Sequence, residues 1–305
     1  EGDNLPLVIV YHGFGGCAYY MADETGGLND LADEENFFVA YPQAAYRPAK
    51  EDTYWEPGFN GGESIYLDDI FFSEQLIEHI DEEFSLDLSK LYAAGYSNGG
   101  MLTYSLACLR GDLFEGVCIM SGALLDGMDS CDPTQPVPMI IFHGTGDFVL
   151  PYNGNQYYAS VPDVGSLWVD HFQIPTSTLS STELNGGNVV HDSYYGGTNN
   201  TCLSLYTVIE EYGLPGDHVW FGQDMDGVSP NRIIWDFFSG ACGGVDAISY
   251  ETHDRVQAFP VPFGDQLFIG NIGVSSATYH MYDVRGVVVR TGRLGSDGLV
   301  HGLGD

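Results

Sequence analysis

The stretch Leu91-Tyr92-Ala93-Ala94-Gly95-Tyr96-Ser97-Asn98-Gly99-Gly100-Met101 decides the class of fold. An apolar run typical of a buried strand leads into Gly95-Tyr96-Ser97-Asn98-Gly99, and apolar residues at helical spacing follow directly. A serine on a sharp strand-to-helix turn holds its hydroxyl clear of the backbone, and the flanking glycines are needed because a Cβ does not fit there. The stretch therefore predicts Ser97 as a catalytic nucleophile.

The same alternation of strands and helices extends from residue 5 to about residue 240. Further apolar runs predict strands buried on both faces at Leu7–Tyr11, Phe37–Tyr41 and Met139–His143, and helical spacing marks residues 65–84 and 98–109. Strands that alternate with helices indicate a mostly parallel sheet covered by helices. The predicted fold class is α/β, of the α/β-hydrolase type, with function on loops beyond the carboxyl ends of the strands.

The pattern changes after residue 238, where the glycine-rich stretch Ser239–Gly244 has the composition of a linker. Only strand-like pieces follow, at Gln266–Ile269 and Thr278–Val284, then a turn at Arg285-Gly286 and a last run at Val287–Val289. We therefore predict a catalytic domain over residues 1–240, a linker over 241–256 and a small antiparallel β module over 257–305.

Charge excludes several classes of partner. The chain has 43 acidic residues against 9 Lys plus Arg, a net charge of −34, which repels nucleic acid and anionic membranes. No apolar run reaches the roughly 18 residues of a membrane span, so membrane insertion is not expected. The six cysteines suit disulfides formed in an oxidising compartment, with the pairing left open and Cys118 the best candidate for a buried free thiol.

A nucleophilic serine needs a base, and the base needs an orienting acid. In this fold class the order along the chain is serine, acid, histidine. Asp147 follows the run Met139–His143 and is the predicted acid, whereas His218, in a glycine-rich loop before the last helix, is the predicted base. His191 is the competing base, disfavoured because it precedes the strand after which the histidine is expected.

Two backbone amides are expected to bind the oxyanion, one from Asn98 and one from Phe14 in the early loop His12-Gly13-Phe14-Gly15-Gly16. His12 itself is predicted to be structural, bonding loop carbonyls. Three aromatic residues are candidates for holding an apolar acyl or aryl group, although simple packing explains each of them equally well. They are Trp220, Trp55 and Tyr152.

These residues carry a family resemblance. The ordered motifs His12-Gly13, Gly95–Met101, His143-Gly144-Thr145-x-Asp147 and Asp217-His218-x-Trp220 are similar to those of secreted polyhydroxybutyrate depolymerases and feruloyl esterases. The resemblance covers roughly residues 5–240 and implies ester hydrolysis without a metal or organic cofactor. One departure is Gly216–Gly222, which lacks the family's Gly-Gly-His-x-Trp-Pro-Gly pattern, so the pocket wall beside His218 is expected to differ.

The tail resembles a second family, the carboxy-terminal sorting domain of the type IX secretion system of Bacteroidetes. Phe259-Pro260-Val261-Pro262-Phe263 and Tyr282-Asp283-Val284-Arg285-Gly286 resemble its opening and a strand–turn pair, although no match to its closing strand is found before Asp305, so we expect an incomplete copy of the domain. The resemblance implies export to the extracellular space or cell surface, with that secretion machinery as a partner. An accessory polymer-binding module is the alternative for the tail.

Together these features predict a secreted serine carboxylic ester hydrolase, of feruloyl or acetyl esterase or polyester depolymerase type, that forms an acyl-enzyme. The expected partner is an ester substrate, either a plant polysaccharide ester or a polyester. Two alternatives stay open: a serine peptidase, because the same triad cleaves amides, and a non-catalytic polymer-binding protein.

Overall fold

A computed structural model of the chain describes residues 4–57, 68–125, 133, 135–209, 218–240 and 242, together with five short strands between residues 257 and 301. The chain divides into two compact units, Glu1–Val245 and Asp246–Asp305. The predicted linker, apart from Cys242, and the predicted turn at Arg285-Gly286 lie outside the described residues.

The first unit alternates strands and helices along most of its length. In chain order these are β1 Leu5–Tyr11, α1 Ala18–Glu24, α2 Leu28–Glu35, β2 Phe38–Ala40, β3 Tyr46–Arg47, β4 Asp52–Thr53, α3 Asp68–Phe84, β5 Leu86–Tyr96, α4 Asn98–Arg110, β6 Gly116–Met120, β7 Met139–Gly144, α5 Val161–His171, β8 Ser180–Leu184, β9 Val189–Tyr194, β10 Leu203–Val208 and α6 Pro230–Gly240.

Eight of these strands form one sheet in the order β2-β1-β5-β6-β7-β10-β9-β8. The pairs from β2 to β10 are parallel, whereas β9 and β8 extend the sheet with antiparallel pairs. The mostly parallel sheet was predicted, but the antiparallel edge was not. Its outer strand, Ser180–Leu184, is largely exposed and polar, so it lacks the apolar run by which a buried strand is recognised.

The middle of the sheet is buried on both faces, as predicted. All residues of β6 and β7 are buried, and α4 covers β5 with Leu102, Leu106 and Ala107 fully inaccessible. Such strands are typical of parallel sheets with helices on both sides. Apolar burial of this extent is the main favourable contribution to folding, at about 25 cal/mol per Å².

Strand register brings the functional loops to one edge. Tyr11 pairs with Gly95, so the loops after β1 and β5 leave the sheet side by side. His143 pairs with Thr207, which likewise places the end of β10 beside the loop that contains Asp147. Because β1, β5, β7 and β10 are parallel to one another, the loops that follow them gather at the carboxyl edge of the sheet.

The cysteines follow the expected pattern in part. Cys202 and Cys242 form a disulfide, and Cys108 is also disulfide-bonded. Cys118 is free and buried, which confirms its prediction, and Cys17 is free as well. None of the described helices is long and apolar enough to cross a membrane.

The second unit is described only as backbone strands: β11 Gln257–Phe259, β12 Gln266–Gly270, β13 Ala277–Tyr282, β14 Val288–Leu294 and β15 Leu299–His301. They pair antiparallel in the orders β11-β12-β15 and β13-β14. The predicted antiparallel strands near residues 266 and 278 are therefore observed.

Candidate active site

Ser97 lies on a sharp turn between β5 and α4. Its backbone has φ 54° and ψ −117°, a conformation that costs a non-glycine residue free energy and that concentrates at functional sites. A Cβ on Gly95 would overlap the carbonyl of Gly99, and a Cβ on Gly99 would overlap the carbonyl of Tyr11. The two glycines of the motif are therefore required by close packing, as predicted from the sequence.

Three predicted residues meet at this turn. The Ser97 Oγ lies 2.7 Å from His218 Nε2, and His218 Nδ1 lies 2.7 Å from Asp147 Oδ2. A carboxylate only accepts hydrogen bonds, so Nδ1 carries the imidazole proton and Nε2 is free to accept from the serine hydroxyl. This is the geometry by which a base activates a serine.

Asp147 is held as a carboxylate at the end of β7, with its side chain fully buried. Its Oδ1 accepts hydrogen bonds from the amides of Val149 and Leu150, at 2.9 and 2.8 Å. Burial by itself raises the pKa of Asp147, but hydrogen bonds from His143, His218 and the Leu150 amide outweigh it and lower that pKa far below its usual range.

His143 is a supporting residue to which the sequence assigned no role. Its Nε2 donates to the Leu150 carbonyl at 2.8 Å and lies 3.3 Å from Asp147 Oδ2. His143 thus links the end of β7 to both Asp147 and Leu150 in the loop that follows. The motif His143-Gly144-Thr145-x-Asp147 was a signal for this role, because a polar residue at a buried strand end needs a partner.

The loop that carries His218 is fastened to the ends of β5 and β6. The Tyr96 hydroxyl donates to the His218 carbonyl at 2.7 Å, and the Ser121 hydroxyl donates to the Val219 carbonyl at 2.9 Å. Burial, followed by the charges of Glu24 and Asp147, raises the pKa of Tyr96 to about 12, so this hydroxyl keeps its proton. Sequence reasoning missed both contacts.

The competing base, His191, is not brought to Ser97. It lies on β9, where its Nε2 is 2.7 Å from Ser204 Oγ and its ring stacks on Tyr206 at 4.1 Å. Burial lowers the pKa of His191 to about 4. The sheet pairing thus gives this histidine a packing role.

The loop after β1 packs directly on the nucleophile. A Cβ added to Gly13 would lie 3.2 Å from the Ser97 Cβ, and both Phe14 and Asn98 line the cavity beside Ser97. Among the hydrogen bonds between described residues, neither the Phe14 nor the Asn98 amide donates to an acceptor. Asn98 is the first residue of α4, where such amides are unpaired within the helix.

Two side chains next to this loop, those of His12 and Asn98, are bonded to surrounding backbone groups. His12 is buried, bonds the Gly13 carbonyl through Nδ1 at 2.7 Å and accepts from the Ala44 amide at 3.1 Å through Nε2. Its structural role was predicted. The Asn98 side chain is bonded at both ends to the backbone of Trp55, at 2.7 and 2.9 Å, so its orientation is fixed.

A cavity of about 470 Å³ opens beside Ser97. Its walls include Phe14, Tyr54, Trp55, Met101, Leu125 and Tyr158. Phe14 is half exposed and stacks on Tyr54 at 5.5 Å. The cavity therefore offers an apolar, aromatic surface to a bound group.

Of the three predicted substrate-contacting aromatics, the structure brings one to this cavity. Trp55 lines it, with its indole donating to the His12 carbonyl at 2.9 Å. Trp220 is not among the residues that line it: the residue is 5% exposed and its indole donates to Asn231 at 3.2 Å, which agrees with the packing alternative. Tyr152 is not among the lining residues either, and its hydroxyl is bonded to Thr207 Oγ1 at 3.1 Å.

The mostly parallel sheet and the strand–turn–helix at Ser97 define the α/β-hydrolase fold. Among solved structures, the acetyl xylan esterase from Aspergillus awamori has a similar fold, with a TM-score of 0.53 at 16% identity over 71% of this chain and 84% of that one. No protein-family model matches the chain. Among the described residues, no cluster of His, Cys, Asp or Glu could hold a metal ion.

Curated relatives cover the chain in part. The putative esterase NocK of Nocardia uniformis subsp. tsuyamanensis is 29% identical over 59% of this chain and 50% of its own length. A probable feruloyl esterase C of Aspergillus clavatus is 33% identical over 42% of this chain and 41% of its own length, and one of Aspergillus terreus is 26% identical over 70% and 68%. The chain thus spans half or less of the first two relatives.

Proposed function

We propose that this chain is a serine carboxylic ester hydrolase that works through an acyl-enzyme. The observation that carries the proposal is the pair of 2.7 Å hydrogen bonds from Asp147 through His218 to Ser97. A hydroxyl becomes a competent nucleophile when a base accepts its proton and a third group orients that base. The pair supports Ser97 as nucleophile, His218 as base and Asp147 as orienting acid.

The reaction follows from these roles. Ser97 Oγ attacks the ester carbonyl while His218 Nε2 takes its proton, and the charge of Asp147 stabilises the imidazolium that forms. The amides of Phe14 and Asn98 are the proposed donors to the tetrahedral oxyanion. His218 then protonates the leaving alkoxide, which departs as the alcohol. Water cleaves the acyl-enzyme by the same route, releasing the acid and restoring Ser97.

The substrate class is a further proposal. Relatives named feruloyl esterase and a similar fold named acetyl xylan esterase favour esters of plant polysaccharides. The stacked pair of Phe14 and Tyr54 in the cavity wall supports a flat aromatic or small apolar acyl group, because such groups pack well on aromatic faces. The sequence resemblance to polyhydroxybutyrate depolymerases makes a hydroxyalkanoate polyester the second substrate to test.

A panel of substrates tests the activity. Methyl ferulate, 4-nitrophenyl acetate and hydroxybutyrate oligomers should be compared with 4-nitroanilides of matched acyl groups, using wild type and Ser97→Ala. We expect ester hydrolysis that the variant lacks, and labelling of Ser97 by a fluorophosphonate probe. Preferential cleavage of anilides would indicate a peptidase, and absence of labelling would indicate a non-catalytic protein.

We also propose that the protein is exported to the extracellular space or cell surface of a Bacteroidetes-like bacterium by type IX secretion machinery. The Cys202–Cys242 disulfide supports an oxidising compartment, and the antiparallel strands β11 to β15, in a compact unit of their own, support a separate sorting module. Deleting residues from about 257 onward should leave kcat/KM on soluble and insoluble esters within a few-fold. Selective loss on an insoluble ester would instead indicate a polymer-binding module.

A further inference from the structure

We infer that the cavity beside Ser97 contains a subsite for a carboxylate on the substrate, formed by Lys50. This inference rests on the proposed ester hydrolysis and adds a substrate class to it: esters that carry one free carboxylate near the scissile bond. Lys50 lines the same cavity as Ser97 and Asn98 and is itself solvent-exposed, so its long side chain is free to direct the ammonium group toward a bound ester.

The position of a cation here is unusual for this chain. With a net charge of −34, the chain contains two lysines, Lys50 and Lys90. Among residues with described side chains, the other cations are ion-paired: Arg47 with Glu56 and Asp69, Lys90 with Asp87, Arg110 with Glu74 and Asp112, and Arg232 with Glu35 and its neighbours. Lys50 has no ion-pair partner among those residues.

Two other polar side chains of the cavity wall already have partners. Glu56 also lines the cavity and is ion-paired at 3.2 Å with Arg47, which it shares with Asp69. The side-chain amide of Asn98 is bonded to the Trp55 backbone at both ends. Lys50 is therefore the unpaired charge of this wall, within the part of the chain that the structure describes.

The hairpin that carries Lys50 is anchored to the active site. Lys50 lies in the turn between β3 and β4, where its amide donates to the Arg47 carbonyl at 3.1 Å. From β4, the Thr53 carbonyl accepts from the Gly15 amide and the Thr53 hydroxyl donates to the Gly16 carbonyl, both at 2.8 Å. The ammonium is thus presented from backbone bonded to the loop of the proposed oxyanion donor Phe14.

A single carboxylate is the anion that these charges favour. An ammonium is a compact charge that binds carboxylate without demanding two-point geometry. The field of the whole chain repels anions, and it repels a phosphate or a polyanion more than a group of charge −1. One unpaired lysine balances one carboxylate, such as that of a uronic acid or of a dicarboxylic half-ester.

Paired substrates test the subsite. On the acyl side, mono-4-nitrophenyl glutarate is compared with 4-nitrophenyl butyrate, and on the alcohol side, 4-acetoxybenzoate is compared with phenyl acetate. For each pair, the ratio of kcat/KM for the anionic ester to that for its neutral partner is measured at one ionic strength. We expect Lys50→Gln to lower this ratio about five- to tenfold for at least one pair, as for loss of a charge-assisted hydrogen bond.

Three further variants sharpen the result. Lys50→Arg should keep the ratio near wild type, Lys50→Glu should lower it below Lys50→Gln, and Lys90→Gln, which removes the other lysine, should leave it unchanged. Equal losses on both members of each pair, or an unmoved ratio, would overturn the subsite. A wild type that cleaves none of the esters would instead overturn the proposed function and, with it, the role of Lys50.

Discussion

The hydroxyl of Tyr96 donates a 2.7 Å hydrogen bond to the carbonyl of His218, across 122 positions of sequence. The residue directly before the nucleophile thus holds the backbone of the base. Together with the bond from Ser121 to the Val219 carbonyl, it fixes the loop from two neighbouring strand ends. A base positioned by its backbone as well as by Asp147 has little freedom to leave Ser97.

Replacing Tyr96 with phenylalanine should lower kcat about three- to thirtyfold, because small displacements of a catalytic group are costly. The matched control is Tyr11→Phe, which removes a hydroxyl bonded to Ser73 at 2.9 Å and not to the loop that carries the base. Both variants should lose about 1–3 kcal/mol of stability. If kcat falls equally in the two variants, the Tyr96 hydroxyl has no special link to the base.

Ser97→Ala and His218→Ala should each lower kcat on 4-nitrophenyl butyrate by about four or more orders of magnitude, with Asp147→Asn severe but milder. Circular dichroism and thermal melting check that each variant folds. His191→Ala is the control, since His191 Nε2 is bonded to Ser204 and not to the nucleophile. An equal loss in His191→Ala would refute the assignment of the base.

The glycines of the turn should tolerate no side chain. Gly95→Ala and Gly99→Ala place a Cβ against backbone carbonyls that cannot move freely, so each should cost at least about 3 kcal/mol or prevent folding. Gly240→Ala, at the end of α6 with open space around it, should change stability by less than about 1 kcal/mol. Urea unfolding measures all three, and a mild Gly99→Ala would contradict the packing argument.

Acid should weaken the fold in part through Asp147. Its pKa is lowered in the folded chain, so its contribution is present above the unfolded value of about 3.9 and is lost as pH falls toward the folded value. Between about pH 4 and pH 2, the unfolding free energy of wild type should therefore fall more steeply than that of Asp147→Asn. The other carboxylates are common to both proteins and cancel in the difference, so parallel curves would refute the prediction.

The Cys202–Cys242 disulfide should be a major contribution to stability. It joins residues 40 apart, which restricts the unfolded chain by an amount equivalent to about 4 kcal/mol. The double variant Cys202→Ala/Cys242→Ala should lose about that much in urea unfolding, while Cys17→Ser, at a free cysteine, should lose little. A loss under about 1 kcal/mol in the double variant would mean that the crosslink adds little to tertiary packing.

Local patterns were enough for much of the fold and for part of the site. Apolar runs alternating with helical spacing predicted the parallel sheet, because burial on both faces leaves a direct mark on composition. The geometry at Ser97 was also predictable, since a glycine is needed wherever backbone approaches backbone. Asp147 followed from its place after β7, as all parallel strands end at the same edge.

Other features depended on contacts between distant segments. His191 and His218 both lie close to β10 in the sequence. The antiparallel pairing of β9 with β10 directs the His191 side chain to Ser204. For Trp220, the sequence left substrate contact and simple packing equally open, and in the structure its indole is buried against Asn231. Neighbouring loop residues can point to opposite sides of the chain, so separation in sequence does not determine which side chain faces a cavity. Which side chains face the cavity depends on the packing of strands and loops that are far apart in the sequence. The bond from Tyr96 to His218 depends on the same packing.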